Sequence, residues 1–259
     1  MQHPYSGGGQ YSFGPGAMSP VVKMLLLINV GVFLPTALIP QLFPSIVEYF
    51  GLTPQHVVEQ MRLWELVTWM FVHGGITHIL FNMLILWMFG VQLERIWGQK
   101  FFLHYYFITG IGAGLTVIVV GLLPFAFAEP TYLAPTIGAS GAIYGLLVAF
   151  ALYYPETPIL MFFLFPVPAK YFVMIIGTIS FLSVPRGGGV SHVAHLGGLV
   201  VGYLYLKRFA GRSLGRSGFG RLGIMADIKY RYFKWKMGRL KKRFDVYQGR
   251  KNDWDDRIH

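Results

Sequence analysis

The sequence contains no cysteine, and charged residues make up only 13% of its 259 positions. The absence of cysteine excludes disulfide bonds, thiolate metal sites and a cysteine nucleophile. The charged fraction is about half that of a typical soluble domain. Because hydrophobic residues reach 54% and the mean hydropathy is +0.51, the composition indicates a membrane protein.

Windows of roughly 20 residues predict an all-α polytopic membrane protein with six spans. The spans are Val21–Ile39, Ile76–Leu93, Phe101–Leu123, Ser140–Tyr154, Tyr171–Val184 and Val190–Leu206. The fourth and fifth are short, which favours helices that end inside a protein-lined cavity. No internal repeat is apparent, and this weighs against many transporter folds.

The net charge of +11 is concentrated at the C-terminal end. From Lys207 onward the chain carries 16 of its 22 Lys and Arg residues but only five of its 11 Asp and Glu residues. By the positive-inside rule this tail is cytoplasmic, and six spans then place the N-terminus there too. We therefore predict a disordered cytoplasmic leader at 1–20, a membrane domain at 21–208 and a basic cytoplasmic tail at 209–259.

The tail could bind an anionic membrane surface or only set the topology. Nucleic acid is a poor candidate partner because the tail is tethered to the membrane. Between spans one and two, the apolar segment Pro40–Gly75 is predicted to be partly helical and to lie at the outer interface. Between spans four and five, Pro155–Pro168 carries four prolines and is predicted to be an irregular cytoplasmic connection.

Four polar side chains stand out within the predicted spans, where polar groups are costly and indicate function. Ser140 is flanked by small residues in Gly138-Ala139-Ser140-Gly141, and His195 follows 55 residues later. His78 and Asn82 are four positions apart and share one helix face. Each of the four has an ordinary packing explanation by itself. Together they predict a serine nucleophile, a histidine base and two donors for a negatively charged oxygen.

Glycine spacing predicts how these residues meet. Spans four and six each carry a small-xxx-small pair, formed by Gly141, Gly145, Gly198 and Gly202. Such pairs let helices approach closely, which would bring Ser140 within hydrogen-bond reach of His195 and let Tyr144 stack on the imidazole. No carboxylate lies in the spans except Glu94 at the edge of span two, so the sequence predicts a Ser–His dyad instead of a triad.

Over about Leu63–Tyr205 the chain resembles the rhomboid intramembrane serine proteases. The Gly138–Gly141 tetrapeptide resembles the nucleophile motif, and Ala194-His195-Leu196-Gly197-Gly198 resembles the motif of the catalytic histidine. His78-Ile79-Leu80-Phe81-Asn82 resembles the oxyanion-binding pattern. Gly90, Glu94 and Gly98 match a GxxxExxxG element, and His73 matches a histidine often found upstream. One departure is Trp64-Glu65, where the family often has Trp-Arg.

The resemblance implies a six-helix rhomboid-like bundle with an outer-face cavity, capped by the glycine-rich loop Pro185–Val190. Ser140 and His195 would be catalytic, and no cofactor or metal is expected. Substrates would be single-span membrane proteins, cleaved in or near their transmembrane segment, with membrane lipid as the surroundings. The expected location is a bacterial inner membrane. The residues expected to bind the oxyanion or substrate are His78, Asn82, Gly138 and Tyr144.

Three alternatives remain open from the sequence. The first is an inactive relative of the same fold, like the derlins, although such relatives lack the nucleophile or the base. The second is a metalloenzyme, since the spacing of His192 and His195 is compatible with metal ligands. It would draw on His73, His78, His192 and His195. The third is a channel or transporter that uses the same polar residues to line a path.

Overall fold

The computed structural model of the chain describes residues 15–124, 128–161, 164–184 and 190–210. Residues 1–14 of the predicted leader, 185–189 of the predicted cap and the predicted tail beyond residue 210 lie outside these described residues.

The described residues are mostly helical. The helices are α1 Pro20–Leu38, α2 Leu42–Phe50, α3 Pro54–Gln60, α4 Glu65–Thr68, α5 Ile76–Ile85, α6 Val91–Trp97, α7 Gln99–Gly121, α8 Ala128–Leu133, α9 Ser140–Tyr153, α10 Ala169–Ser183 and α11 Val190–Tyr205. A 3₁₀ turn, Trp69–Phe71, follows α4. One π-helical turn, Leu86–Gly90, joins α5 to α6, and another, Leu206–Ala210, continues α11.

Three helical segments of the described chain are long and apolar enough to cross a membrane, judged by length and composition. They are Pro20–Leu38, Ile76–Trp97 and Gln99–Gly121, and they coincide with the first three predicted spans. The fourth and fifth predicted spans form the shorter apolar helices α9 and α10, of 14 and 15 residues. The prediction that these two helices are short is confirmed.

The segment predicted to be an irregular connection, Pro155–Pro168, contains a β-hairpin instead. Strands β1 Pro158–Met161 and β2 Phe165–Pro168 pair in antiparallel register, with Pro158 opposite Pro168 and Leu160 opposite Pro166. The prolines thus fall on alternate pairs, as suits the non-hydrogen-bonded positions of a ladder, because proline has no N–H to donate. The described residues are thus mostly helical, as predicted for an all-α polytopic membrane protein, with this one hairpin added.

Glu94, in the middle of α6, binds the start of α1. Its carboxylate accepts hydrogen bonds from the backbone N–H groups of Val21 and Val22, at 3.0 and 2.9 Å, and from the Ser19 hydroxyl. The first N–H groups of a helix have no partner within the helix and carry a partial positive charge. A buried carboxylate accepts hydrogen bonds from these N–H groups and also balances their partial positive charge. This explains why the GxxxExxxG element needs an acid at this position.

The chain turns sharply after α6. Gly98 has a φ of +76°, a left-handed conformation that glycine adopts without a steric cost, and α7 begins at the next residue. Beside this turn, Arg95 donates hydrogen bonds to the carbonyls of Pro15 and Ala17, at 2.7 and 2.8 Å. The last residues of the predicted leader are therefore bound to the helical domain.

The outer segment, defined here as residues 40–75, is partly helical as predicted, through α2, α3 and α4. Its centre is the carboxylate of Glu65, which is fully buried and accepts the Thr53 N–H at 2.9 Å. His56 Nδ1 and Arg62 Nη1 lie 3.2 and 3.7 Å from the same carboxylate. Burial raises the pKa of Glu65, although these partners act in the opposite direction. In this chain a buried acid with its own hydrogen-bond and ion-pair partners thus occupies the site of the expected Trp-Arg pair.

Helices α7, α9 and α11 pack against one another most extensively. A Cβ atom on Gly198 would lie 2.0 Å from the Gly141 carbonyl oxygen, and one on Gly202 would lie 3.0 Å from the Gly145 Cα. The Tyr105 hydroxyl of α7 donates to the Gly145 carbonyl at 2.7 Å. The close approach predicted from the glycine pairs is confirmed, and it determines the distance between the two candidate catalytic residues.

Candidate active site

The turn before α9 is held by the outer segment. Gly138 has a φ of +116° and donates its N–H to the Trp69 carbonyl at 2.8 Å. Two residues earlier, Thr136 and Leu52 exchange a pair of backbone hydrogen bonds at 2.8 and 2.9 Å. These bonds fix the chain just before Ser140, the first residue of α9. Ser140 therefore stands at a helix N-terminus, where backbone N–H groups are free to bind an anion.

Ser140 and His195 are in direct contact. The distance from Ser140 Oγ to His195 Nε2 is 2.8 Å, so the proximity predicted from the sequence is present. For a neutral imidazole, a hydroxyl that donates to Nε2 requires the ring proton to be on Nδ1. Among the described residues, this buried Nδ1 has no hydrogen-bond partner. The described chain therefore offers a dyad without a third polar member.

The imidazole is oriented by aromatic packing. The Tyr144 ring lies parallel to it, with ring centroids 4.1 Å apart and an interplanar angle of 3°. His192 approaches edge-on, with centroids 5.9 Å apart. The stacking predicted for Tyr144 is confirmed, and it restricts rotation of the His195 ring about its side-chain bonds.

A cavity of about 200 Å³ opens beside the dyad. It is lined by His78, Phe81, Asn82, Ile85, Ser140, Ile143, Tyr144 and His195. Five of the six site residues predicted from the sequence thus share one cavity. The sixth, Gly138, contacts the His78 ring, because a Cβ atom on Gly138 would lie 2.6 Å from His78 Nε2.

The backbone sets the tautomer of His78. The Gly74 N–H donates to His78 Nδ1 at 3.3 Å, so Nδ1 acts as an acceptor and Nε2 carries the proton. Asn82 Nδ2 donates to the His78 carbonyl at 2.8 Å, which leaves one of its two N–H bonds available. His78 and Asn82 can therefore both act as donors towards the cavity, as their spacing predicts.

The histidines do not form a metal centre in the part of the chain that the structure describes. No group of three or more His, Cys, Asp or Glu side chains there could hold a metal ion. The four histidines of the metalloenzyme alternative form two pairs instead: His73 with His78, and His192 with His195. In the second pair, Nε2 of His195 is within hydrogen-bond distance of the Ser140 hydroxyl.

The comparison with known proteins identifies the family of the chain. The rhomboid domain family matches residues 60–212, more than half of the chain. The chain belongs to the rhomboid family. Together with the apolar helices, this makes it an integral multi-pass membrane protein.

Rhomboids from mitochondria and from bacteria are both similar to the chain. Rhomboid protein 1, mitochondrial, from Saccharomyces cerevisiae is 31% identical over 188 residues, covering 71% of this chain and 52% of that protein. Rhomboid protease GluP from Bacillus subtilis is 33% identical over 177 residues, covering 67% and 30%. Rhomboid protease AarA from Providencia stuartii is 27% identical over 217 residues, covering 79% and 77%. The chain spans about half the length or less of the first two relatives.

Sequence spacing does not indicate two further contributors to this rhomboid site. Trp69 is fully buried, accepts the Gly138 N–H, and its ring lies 2.8 Å from where a Cβ on Gly141 would be. Gly74 acts through its backbone N–H alone. Neither could be found from sequence spacing, because both work through main-chain atoms or through contacts with distant residues.

Proposed function

We propose that the chain is a serine endopeptidase that cleaves peptide bonds in or near transmembrane segments of membrane proteins. The observation that carries the proposal is the 2.8 Å contact between Ser140 and His195 inside an apolar helical core. Relatives named as rhomboid proteases support it. The presence of both a nucleophile and a base, in contact, weighs against an inactive relative of the fold.

The reaction follows from the dyad. Ser140 Oγ attacks the scissile carbonyl carbon while its proton passes to His195 Nε2, and the carbonyl π electrons move to the oxygen. When the tetrahedral intermediate collapses, the C–N bond breaks and the leaving amine takes the proton from Nε2. Water then repeats the sequence on the acyl-enzyme, which releases the acid and restores the Ser140 hydroxyl.

The imidazolium that forms on His195 has no carboxylate partner among the described residues. Tyr144 compensates in part, since a cation over an aromatic face is stabilised by about 2 kcal/mol when desolvated. The parallel stacking at 4.1 Å also keeps Nε2 directed at Ser140. In this proposal the tyrosine both orients the base and stabilises its charged form.

The developing oxyanion would be bound by donors of three kinds. The first is the backbone N–H of Ser140 at the N-terminus of α9, where the helix dipole also favours negative charge. The second is His78 Nε2–H, in the tautomer set by the Gly74 N–H. The third is Asn82 Nδ2, through its remaining N–H. Removing one such donor from a serine protease costs about 10²–10³ in kcat.

The proposed architecture is a six-helix bundle, with α9 and α11 carrying the dyad to a cavity that opens on the outer face. Substrates would be single-span membrane proteins, with lipid as the surrounding solvent and no nucleic-acid partner. A transmembrane helix satisfies its own carbonyls, so a helix-destabilised segment would be preferred. Both termini would be cytoplasmic, and the proposed location is a bacterial inner membrane.

Cleavage of a single-span reporter by the full chain in lipid vesicles tests the proposal. Ser140→Ala should abolish cleavage and labelling by a fluorophosphonate probe while thermal unfolding stays unchanged. Ser183→Ala is the matched control. Among the described residues, the exposed Ser183 hydroxyl donates a hydrogen bond only to the Ile179 carbonyl of its own helix. Undiminished cleavage by Ser140→Ala would refute the dyad, and loss of wild-type cleavage in chelator would favour the metalloenzyme.

A further inference from the structure

His73 lies directly behind the oxyanion donor His78. The two imidazole rings meet edge-on, with centroids 5.0 Å apart and an interplanar angle of 65°. His73 is only 2% exposed, yet it does not line the cavity beside the dyad. Its contact with the site therefore passes through the His78 ring.

The His73 ring is itself held in place by the backbone. Its Nδ1 lies 3.3 Å from the Phe71 carbonyl oxygen, which can only accept, so Nδ1 carries the proton. Burial, and to a lesser extent the neighbouring His78, lowers the pKa of His73 to about 4. At neutral pH the ring is thus an uncharged, fixed surface against His78.

His73 also borders a second cavity. It has a volume of about 290 Å³ and lies between α1, the start of α2 and the chain just before α5. His73 forms part of its wall, together with apolar side chains such as Phe33 and Phe43. Without the His73 ring, the space behind His78 would join this cavity, and the His78 ring could turn away from Gly138.

We propose that His73 is a positioning residue that holds His78 in the orientation needed to bind the oxyanion. The inference rests on the proposed protease function and adds a residue to it. The Gly74 N–H fixes which nitrogen of His78 carries the proton, and the His73 ring fixes where that N–H points. His73 itself touches neither the dyad nor the cavity in which the substrate carbonyl would lie.

A double-mutant cycle on the full chain tests this role, with kcat and KM measured on the single-span reporter in vesicles. We expect His73→Ala to lower kcat about tenfold and to leave KM within about twofold, because a misplaced oxyanion donor affects the transition state selectively. His78→Ala should lower kcat by about 10². The double variant should be no slower than His78→Ala alone, since His73 acts only through His78.

Two further variants separate positioning from folding. His73→Phe keeps an aromatic ring against His78 and should keep kcat within about threefold of wild type. His73→Leu replaces His73→Ala in the cycle if the alanine variant does not fold. His104→Ala is the matched control, since this exposed histidine of α7 lies with its Nδ1 3.1 Å from the Lys100 carbonyl oxygen of its own helix, and its kcat should equal that of wild type.

The proposal is overturned if the double variant is about tenfold slower than His78→Ala, if His73→Ala raises KM instead of lowering kcat, or if His73→Phe is as slow as His73→Ala. These results differ from failure of the protease proposal itself, which would appear as undiminished cleavage by Ser140→Ala.

Discussion

The contact between α9 and α11 offers the sharpest test of how packing positions the dyad. In Gly198→Ala, the new Cβ would lie 2.0 Å from the Gly141 carbonyl oxygen. Real Cβ atoms keep at least about 3.0 Å from such an atom, so the two backbones must separate by about 1 Å. The obstacle is a backbone carbonyl, which cannot move aside as a flexible side chain would.

That displacement acts directly on the catalytic pair. His195 lies one turn before Gly198 on α11, and Ser140 precedes Gly141 on α9. Separating the helices by about 1 Å would stretch the 2.8 Å contact beyond the range of a hydrogen bond. We expect kcat to fall by about 10² and the free energy of unfolding to fall by about 1–3 kcal/mol.

The assay combines cleavage of the single-span reporter with the rate of fluorophosphonate labelling and the midpoint of thermal unfolding. Gly31→Ala is the control, because nothing lies within 4 Å of a Cβ at that position of α1. It should leave all three quantities unchanged or raise the unfolding midpoint slightly. Wild-type kcat in Gly198→Ala would show that the spacing of these helices does not set the dyad geometry.

Three other changes probe separate parts of the molecule. Gly138→Ala puts a Cβ at a φ of +116° and 2.6 Å from His78 Nε2, so kcat should fall by about 10²; an unaltered kcat would contradict the role of His78. Glu94→Ala leaves three donors at the start of α1 without their acceptor, so the unfolding free energy measured in denaturant titrations should fall by about 2 kcal/mol. Unchanged stability would contradict the capping role of Glu94. The pKa of His73 is lowered by burial from 6.5 to about 4. Between these pH values the unfolded chain binds more protons than the folded chain, so the stability of the wild-type protein should fall as the pH drops from 6.5 to 4. In His73→Phe this part of the decrease in unfolding free energy, at most about 3 kcal/mol over the whole pH range, should be absent. Equal pH dependence of the two proteins in parallel titrations would contradict the buried, neutral state of the ring.

The dyad was predictable because its signals are local. Ser140 and His195 each stand in a motif of small residues, and the spacing of Gly198 and Gly202 on one helix face indicated which helices must touch. The hairpin after α9 was not predictable in the same way. Its prolines argue against a strand when read one at a time, and only the pairing register shows that they share alternate positions.

The role of the outer segment also required the folded chain. Trp69 holds Gly138 through its main-chain carbonyl, and main-chain groups are the same in every residue, so no pattern of side chains predicts the bond. The buried position of Glu65 is a similar case. Its desolvation is tolerated because Thr53, His56 and Arg62 surround it, and these partners come from different turns of the segment.

The sequence by itself determined the class of protein, the early spans and the chemistry-bearing residues, because hydrophobicity, charge and small-residue spacing are properties of contiguous stretches. Tertiary structure alone decided the distances: 2.8 Å between Ser140 and His195, 4.1 Å between the rings of Tyr144 and His195, and the edge contact behind His78. These distances depend on how closely separate helices pack and on which backbone groups meet, and both are set only when the whole chain has folded.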